Sequence, residues 1–237
     1  MAFLPLMFPV SSPWLKDDRN LFSKVMEQLL EDDFSKIVIA GPDRADKTAL
    51  VFQAAVSMAS SGGMVTHICT HPLKKLPPPV HGMMVPEPTV MRNVDFLYLE
   101  NVKNLVQWCA DIHTKAELPS LIVVEDILTY ACQIDEMNIE RSLARLCATI
   151  SDSVSWVAQN NKLRSCLVIL TAPARLTSLE HVLTQLDFRV ATYQGPQKEE
   201  TNSCLSVSGS GATLKVLFCR EKECILMKDV SGTVHNI

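Results

Sequence analysis

"IVIAGPDRADKTALVF", Ile37 to Phe52, decides how this chain is read. A short run of apolar, mostly β-branched residues without polar alternation is the pattern of a strand buried on both faces. Gly41-Pro42 opens a turn behind it. "KTALVFQAAVSMAS" then has the Ala- and Leu-rich composition of a helix and stops at Gly62-Gly63. Strand, glycine-opened turn and helix start in that order aim backbone N–H groups at one point, where a phosphate is stabilised. A lysine and a hydroxyl at the helix start then reach the terminal phosphate oxygens and Mg²⁺. Gly41, Lys47 and Thr48 stand at the spacing this chemistry needs, with Pro42 in the turn. The departure is Asp46, which occupies the place of the last loop glycine. A carboxylate roughly 4 Å from a phosphate charge, at an effective dielectric near 20, costs about 4 kcal/mol, close to three decades in affinity unless it turns away. Aspartate is also a favoured N-cap, whose carboxylate satisfies the helix N–H groups that a phosphate would engage.

Working outward, "LIVVED" places Glu125 and Asp126 at the end of a second buried strand, the position where ligands bind in open α/β sheets. These are the candidate catalytic residues, and Thr48 with Glu125 is the candidate metal-facing pair. The two motifs in this order are those of a P-loop NTPase. The other segments alternate in the same way: strand "MVTHIC", a proline-rich loop from Pro72 to Pro88, strand "VDFLYL", helix "NVKNLVQWCADIHTKA", helix "IERSLARLCATISDSVSWVAQNN", strand "RSCLVILTAP" and helix "SLEHVLTQL". Alternation of this kind predicts a mainly parallel sheet with helices on both faces. After the polar linker "QGPQKEETNS", "ATLKVLFC" and "ECILMKDV" predict an antiparallel hairpin turning at "REKE". Three regions result: an apolar leader with an amphipathic helix over 1–33 (Leu21, Val25, Leu29 and Leu30 on one face), the P-loop core over 34–195, and a linker with the hairpin over 196–237, belonging to the same domain.

Composition limits the function classes. At 237 residues and 47% hydrophobic content the chain buries a full α/β core. A net charge of -4 excludes a uniformly basic nucleic-acid coat while leaving room for a local basic patch. Eight cysteines without a CxxC pair or a His/Cys cluster predict reduced core thiols. No basic residue precedes the apolar start "MAFLPLMFPV", and Pro5 and Pro9 interrupt it, so no export signal is expected. No window reaches the roughly 20 apolar residues of a membrane span. The leader residues Phe3, Leu4, Leu6, Met7, Phe8 and Trp14 read either as a partner-docking patch or as internal packing. His67, His71, His81 and His113 share no spacing with acids or thiols and are expected to be core or solvated histidines.

In their order and spacing, "GPDRADKTALVFQAA", "FLYLENVKNLVQWCADIH" followed by "PSLIVVEDI", "CLVIL" and "LKVLFCREKECILM" resemble the divergent RecA-type recombinase paralogues of the animal Shu complex, over about residues 35 to 230. The resemblance implies a RecA-like P-loop fold. Gly41, Lys47 and Thr48 then correspond to the phosphate loop, and Glu125 to the Mg²⁺-facing aspartate. ATP and Mg²⁺ are the cofactors such a loop takes. Asp46 in place of glycine, Glu125 in place of aspartate, and Thr171 where recombinases carry a γ-phosphate-sensing glutamine imply weak or absent ATP turnover. "FQAA", Phe52 to Ala55, fits the Phe-x-x-Ala pattern by which recombinase subunits dock, but its place in the loop helix favours core packing. The resemblance further implies a nuclear role in homologous recombination and DNA repair. Members pair with a SWIM-domain zinc-binding protein, bind single-stranded DNA, and promote or stabilise the filament of the eukaryotic RecA-type recombinase and its paralogues. Candidate DNA contacts are Lys74, Lys75, Arg92, Lys162, Arg164 and Arg175. An active DNA-stimulated ATPase is the alternative reading. A small-metabolite P-loop kinase fits less well, because no Arg-rich lid follows the third crossover.

Overall fold

The buried run at residues 36–40 forms the middle strand of a nine-stranded sheet in a mixed α/β fold. The computed structural model describes residues 3–9, 35–42, 45–196, 202–209, 212–221 and 223–234. In chain order its elements are α1 (Leu4–Met7), β1 (Lys36–Ala40), α2 (Ala45–Ser60), β2 (Val65–Cys69), α3 (Pro88–Met91), β3 (Val94–Tyr98), α4 (Val102–Asp111), β4 (Leu121–Val124), α5 (Ile127–Cys132), α6 (Ile139–Asn160), β5 (Leu167–Ala172), α7 (Glu180–Gln185), β6 (Arg189–Gln194), β7 (Asn202–Ser208), β8 (Ala212–Glu221) and β9 (Cys224–Val234). The strand order is β3-β2-β4-β5-β1-β6-β7-β8-β9. Strands β1 to β6 run parallel, and β6 to β9 pair antiparallel.

Alternation along each parallel strand divides the core in two. Ile37, Ile39, Leu121, Val123, Leu167 and Ile169 face α2, whereas Val38, Ala40, Ile122, Val124, Val168 and Leu170 face α4 to α7. The first face is closed a second time. Helix α2 is buried on nearly every side, as its nearly continuous apolar sequence requires. Its far side meets Leu4 and Met7 of α1, Val80 of the proline-rich loop, and Phe218 and Ile225 of β8 and β9. The antiparallel half therefore curls over α2, and Val80 bridges Ile225 directly. Gly62 ends α2 at φ 86°, where Gly62 N–H and Gly63 N–H close onto the Ala59 and Met58 carbonyls.

The antiparallel region is larger than a hairpin. β7 begins at Asn202, inside the segment that reads as polar linker, because its alternation of small polar and apolar residues is a weak strand signal seen alone. The "REKE" turn is likewise shorter than expected: Arg220 and Glu221 belong to β8 and pair with Ile225 and Cys224. The leader residues Phe3, Leu4, Met7 and Phe8 are buried, and the Phe8 ring lies 5.5 Å from that of Phe218, so this part of the leader packs internally. The amphipathic helix expected within 17–33, Trp14 and the linker residues 197–201 lie outside the described residues. Phe52, Ala54 and Ala55 are core. Gln53 between them accepts from Val80 N–H and donates to Met84 O, pinning the proline-rich loop to α2.

Candidate phosphate-loop site

Parallel register brings the ends of β1, β5 and β4 together, with Ala40 opposite Ala172 and Leu170 opposite Val124. The turns leaving these strands carry Gly41, Pro173 and Glu125. Gly41 is required by close approach: a Cβ there would lie 2.3 Å from the Tyr193 carbonyl oxygen of β6. Asp43 and Arg44 lie outside the described residues, and Pro42 is partly buried.

Among the described residues of the site, Lys47, Asp46 and Glu125 are each held by protein groups. Lys47, 5% exposed, donates from Nζ to the carbonyls of Gly41 and Ala172, each at 2.7 Å. It thereby ties the loop to β5. Thr48 Oγ1 donates to Glu125 Oε2 at 2.8 Å. The other carboxylate oxygen of Glu125 lies 2.7 Å from His67 Nε2. Burial alone would raise the Glu125 carboxyl above its usual range, but the hydrogen bond and charge of His67, the Thr48 hydroxyl and the Lys47 charge outweigh it and hold the value below. An ionised carboxylate only accepts, so His67 donates from Nε2. Its Nδ1 is buried and has no partner among the described residues. His67 also stacks on Phe96, with ring centroids 5.2 Å apart. Cys69, two residues on, is pushed up to about 11 by burial and by the Glu125 charge, which keeps it a neutral thiol at neutral pH.

Asp46 departs from the N-cap expectation. It lies within the first turn of α2 and is 7% exposed. Its carboxylate Oδ2 accepts from the Tyr193 hydroxyl at 3.0 Å, and Oδ1 lies 3.7 Å from Nη1 of Arg220 on β8. A buried carboxylate requires such partners, and here they come from β6, where the sheet changes from parallel to antiparallel, and from β8.

Asp126 takes a left-handed conformation, φ 52°, at the corner between β4 and α5. Its N–H donates to Thr171 Oγ1 at 3.0 Å, so Thr171 anchors this corner. Asp126 Oδ2 accepts from the Thr129 hydroxyl, and Oδ1 is buried without a partner among the described residues. The six candidate DNA cations are all exposed and divide between two edges. Lys74 and Lys75 follow β2 and Arg175 follows β5, at the edge that carries the loop, whereas Arg92 precedes β3 and Lys162 and Arg164 precede β5 at the other. A five-residue strand separates those edges by about 16 Å.

The oxygens of Thr48 and Glu125 form a hard donor pair suited to Mg²⁺, whose remaining positions water and phosphate would fill. Among the described residues no group of three or more His, Cys, Asp and Glu side chains is placed to hold a metal by itself. Lys47 is the phosphate-facing group only if it leaves its two carbonyls. Three participants were not legible as site residues. His67 reads as a core or solvated histidine, Arg220 as a turn residue, and Tyr193 falls in a segment assigned to no element from the sequence. The unsatisfied charge of Asp46 was the available signal that a cation had to lie nearby.

No protein-family model matches the chain, and no curated protein matches it in sequence. Among the described residues no helix is long and apolar enough to cross a membrane.

Proposed function

We propose that this chain is a RecA-type recombinase paralogue that works as a binding subunit rather than a motor. With a SWIM-domain zinc-binding partner it binds single-stranded DNA in the nucleus and stabilises the filament of the eukaryotic recombinase during homologous recombination repair. The observation that carries the non-motor part is the internal closure of the phosphate-loop site. Lys47 is taken by the Gly41 and Ala172 carbonyls, Glu125 by Thr48 and His67, and Asp46 by Tyr193 and Arg220. A site closed in this way keeps its shape without a nucleotide. The recombination role rests on the ordered sequence segments that resemble recombinase paralogues, and Lys74, Lys75 and Arg175 at the loop-bearing edge are the preferred DNA contacts. The test is co-purification with the SWIM-domain protein, followed by single-stranded DNA binding and recombinase filament lifetime across a salt series. The expected result is a complex whose DNA affinity falls with salt, falls further with charge reversal at Lys74, Lys75 and Arg175, and persists without nucleotide. Failure to form the complex, or DNA binding indifferent to those reversals, contradicts this reading.

A DNA-stimulated ATPase remains the second reading, favoured by the Thr48–Glu125 contact and by an Asp46 side chain held by Tyr193 and Arg220. When bound, Mg²⁺ would neutralise charge on the phosphate oxygens, with Thr48 and Glu125 as its protein-side oxygens. DNA-stimulated phosphate release by the wild-type complex, lost in Thr48→Val, selects this reading over the first.

A further inference from the structure

We propose that Arg220 is a phosphate-binding residue of this loop, exchanged between the Asp46 carboxylate and an incoming oligophosphate such as that of a nucleoside triphosphate. The proposal rests on the reading of Gly41 to Thr48 as a phosphate loop. Lys47, the cation that such a loop uses, is buried and committed to two carbonyls. Arg220 differs on both counts. Its side chain is 39% exposed, and its guanidinium lies 3.7 Å from Asp46 Oδ1, beyond hydrogen-bonding distance. Among the described residues it has no other side-chain partner. It is therefore a loosely held cation whose planar fork suits phosphate oxygens better than a single distant carboxylate oxygen.

Charge and anchoring agree. Asp46 cancels the charge of Lys47, and Arg220 returns the loop to a net positive charge. Asp46 Oδ2 keeps the Tyr193 hydroxyl at 3.0 Å when the guanidinium leaves, so the carboxylate is not set loose toward the phosphate. Asp46 thus acts as an internal competitor for Arg220. Its removal should strengthen phosphate binding, and removal of Arg220 should weaken it.

The test is calorimetric titration of the full chain with MgATP, and separately with magnesium pyrophosphate. Wild type is compared with Arg220→Gln, Asp46→Gly, the double variant, and Lys215→Gln, an exposed cation on the same strand that controls for net charge. Circular dichroism confirms folding, and Asp46→Asn replaces Asp46→Gly if the glycine variant does not fold. Asp46→Gly is expected to bind MgATP about tenfold or more tighter than wild type. Arg220→Gln is expected to lose about tenfold in whichever background binds measurably, and Lys215→Gln to stay within about twofold. Pyrophosphate should show the same losses, because phosphate is what Arg220 would read. If Asp46→Gly binds and the double variant binds equally well, Arg220 is not a phosphate ligand and the loop reading stands. A loss with MgATP but not with pyrophosphate also overturns the assignment. If no variant binds either probe, the loop reading fails and the inference falls with it.

Discussion

The two corners of the candidate site solve the same problem with different parts of the molecule. At the metal-facing corner, Thr48, Glu125 and His67 all come from the parallel half and meet at 2.7 to 2.8 Å. At the anion-facing corner, Asp46 is held by Tyr193 at 3.0 Å and by Arg220 at 3.7 Å, the latter from β8 of the antiparallel half. The first corner is tight and follows from the motif, since strand ends in register must place their side chains together. The second is looser and compensates for the one residue that breaks the motif. A buried acid at this point of the loop needs partners, and the curled antiparallel strands supply Arg220 as one of them.

The largest effect that would break this contrast is expected at Lys47, which ties the loop to β5 and whose charge acts on Glu125. Lys47→Met removes the Nζ donor from the Gly41 and Ala172 carbonyls, of which Ala172 keeps the Gly41 N–H, and should lower stability by about 2 to 3 kcal/mol, measured by urea unfolding. Loss of nucleotide or DNA function in a Lys47 variant is therefore not by itself evidence of a motor.

Next comes Glu125. Its carboxyl is held below the ordinary 4.5, so its stabilising contribution is fully present above that pH and is lost as pH falls through the lower folded value. Glu125→Gln should cost about 2 kcal/mol at neutral pH, and the difference from wild type should shrink on acidification below pH 4.5. A difference that stays constant with pH would remove the claim that the carboxylate is held ionised by its neighbours.

Tyr193→Phe deletes one hydrogen bond to a buried carboxylate and should cost about 1 kcal/mol, with most of that loss absent in the Asp46→Ala background, which has no acceptor there. Additive losses would show that Tyr193 and Asp46 are not coupled. The smallest stability effect belongs to Arg220→Gln, about 0.5 kcal/mol or less, because the pair is long and the guanidinium is partly solvated. A large loss there would make the anion-facing corner as tight as the metal-facing one.

Most of the parallel half was legible because its signals are local, while β6, a parallel partner of β1, carries no such signal and was not read. Continuous apolar runs mark β1, β4 and β5, glycines mark the loop entry and the end of α2, and Glu125 follows a buried strand directly. Partners that depend on which strands are neighbours were not. His67 reaches Glu125 only because β2 lies beside β4, with His67 in register with Val123. Arg220 and Tyr193 meet Asp46 only because β6 to β9 extend the sheet and fold over α2. A single sequence carries the need for such a partner, in the charge of Asp46, without its address. The apolar leader shows the same limit: its composition suits docking and packing equally, and only the shape of the α2 face selects packing for Phe3, Leu4, Met7 and Phe8.

On the proposed function, protein groups close the Gly41–Thr48 loop in place of a nucleotide. Thermal unfolding of wild type and Asp46→Gly, each with and without MgATP, is the measurement that decides this. The expected result is a wild-type midpoint that MgATP barely moves, and an Asp46→Gly midpoint that is lower without ligand and recovers when MgATP is added. A wild-type midpoint raised several degrees by MgATP, together with an Asp46→Gly chain no less stable than wild type, would contradict it.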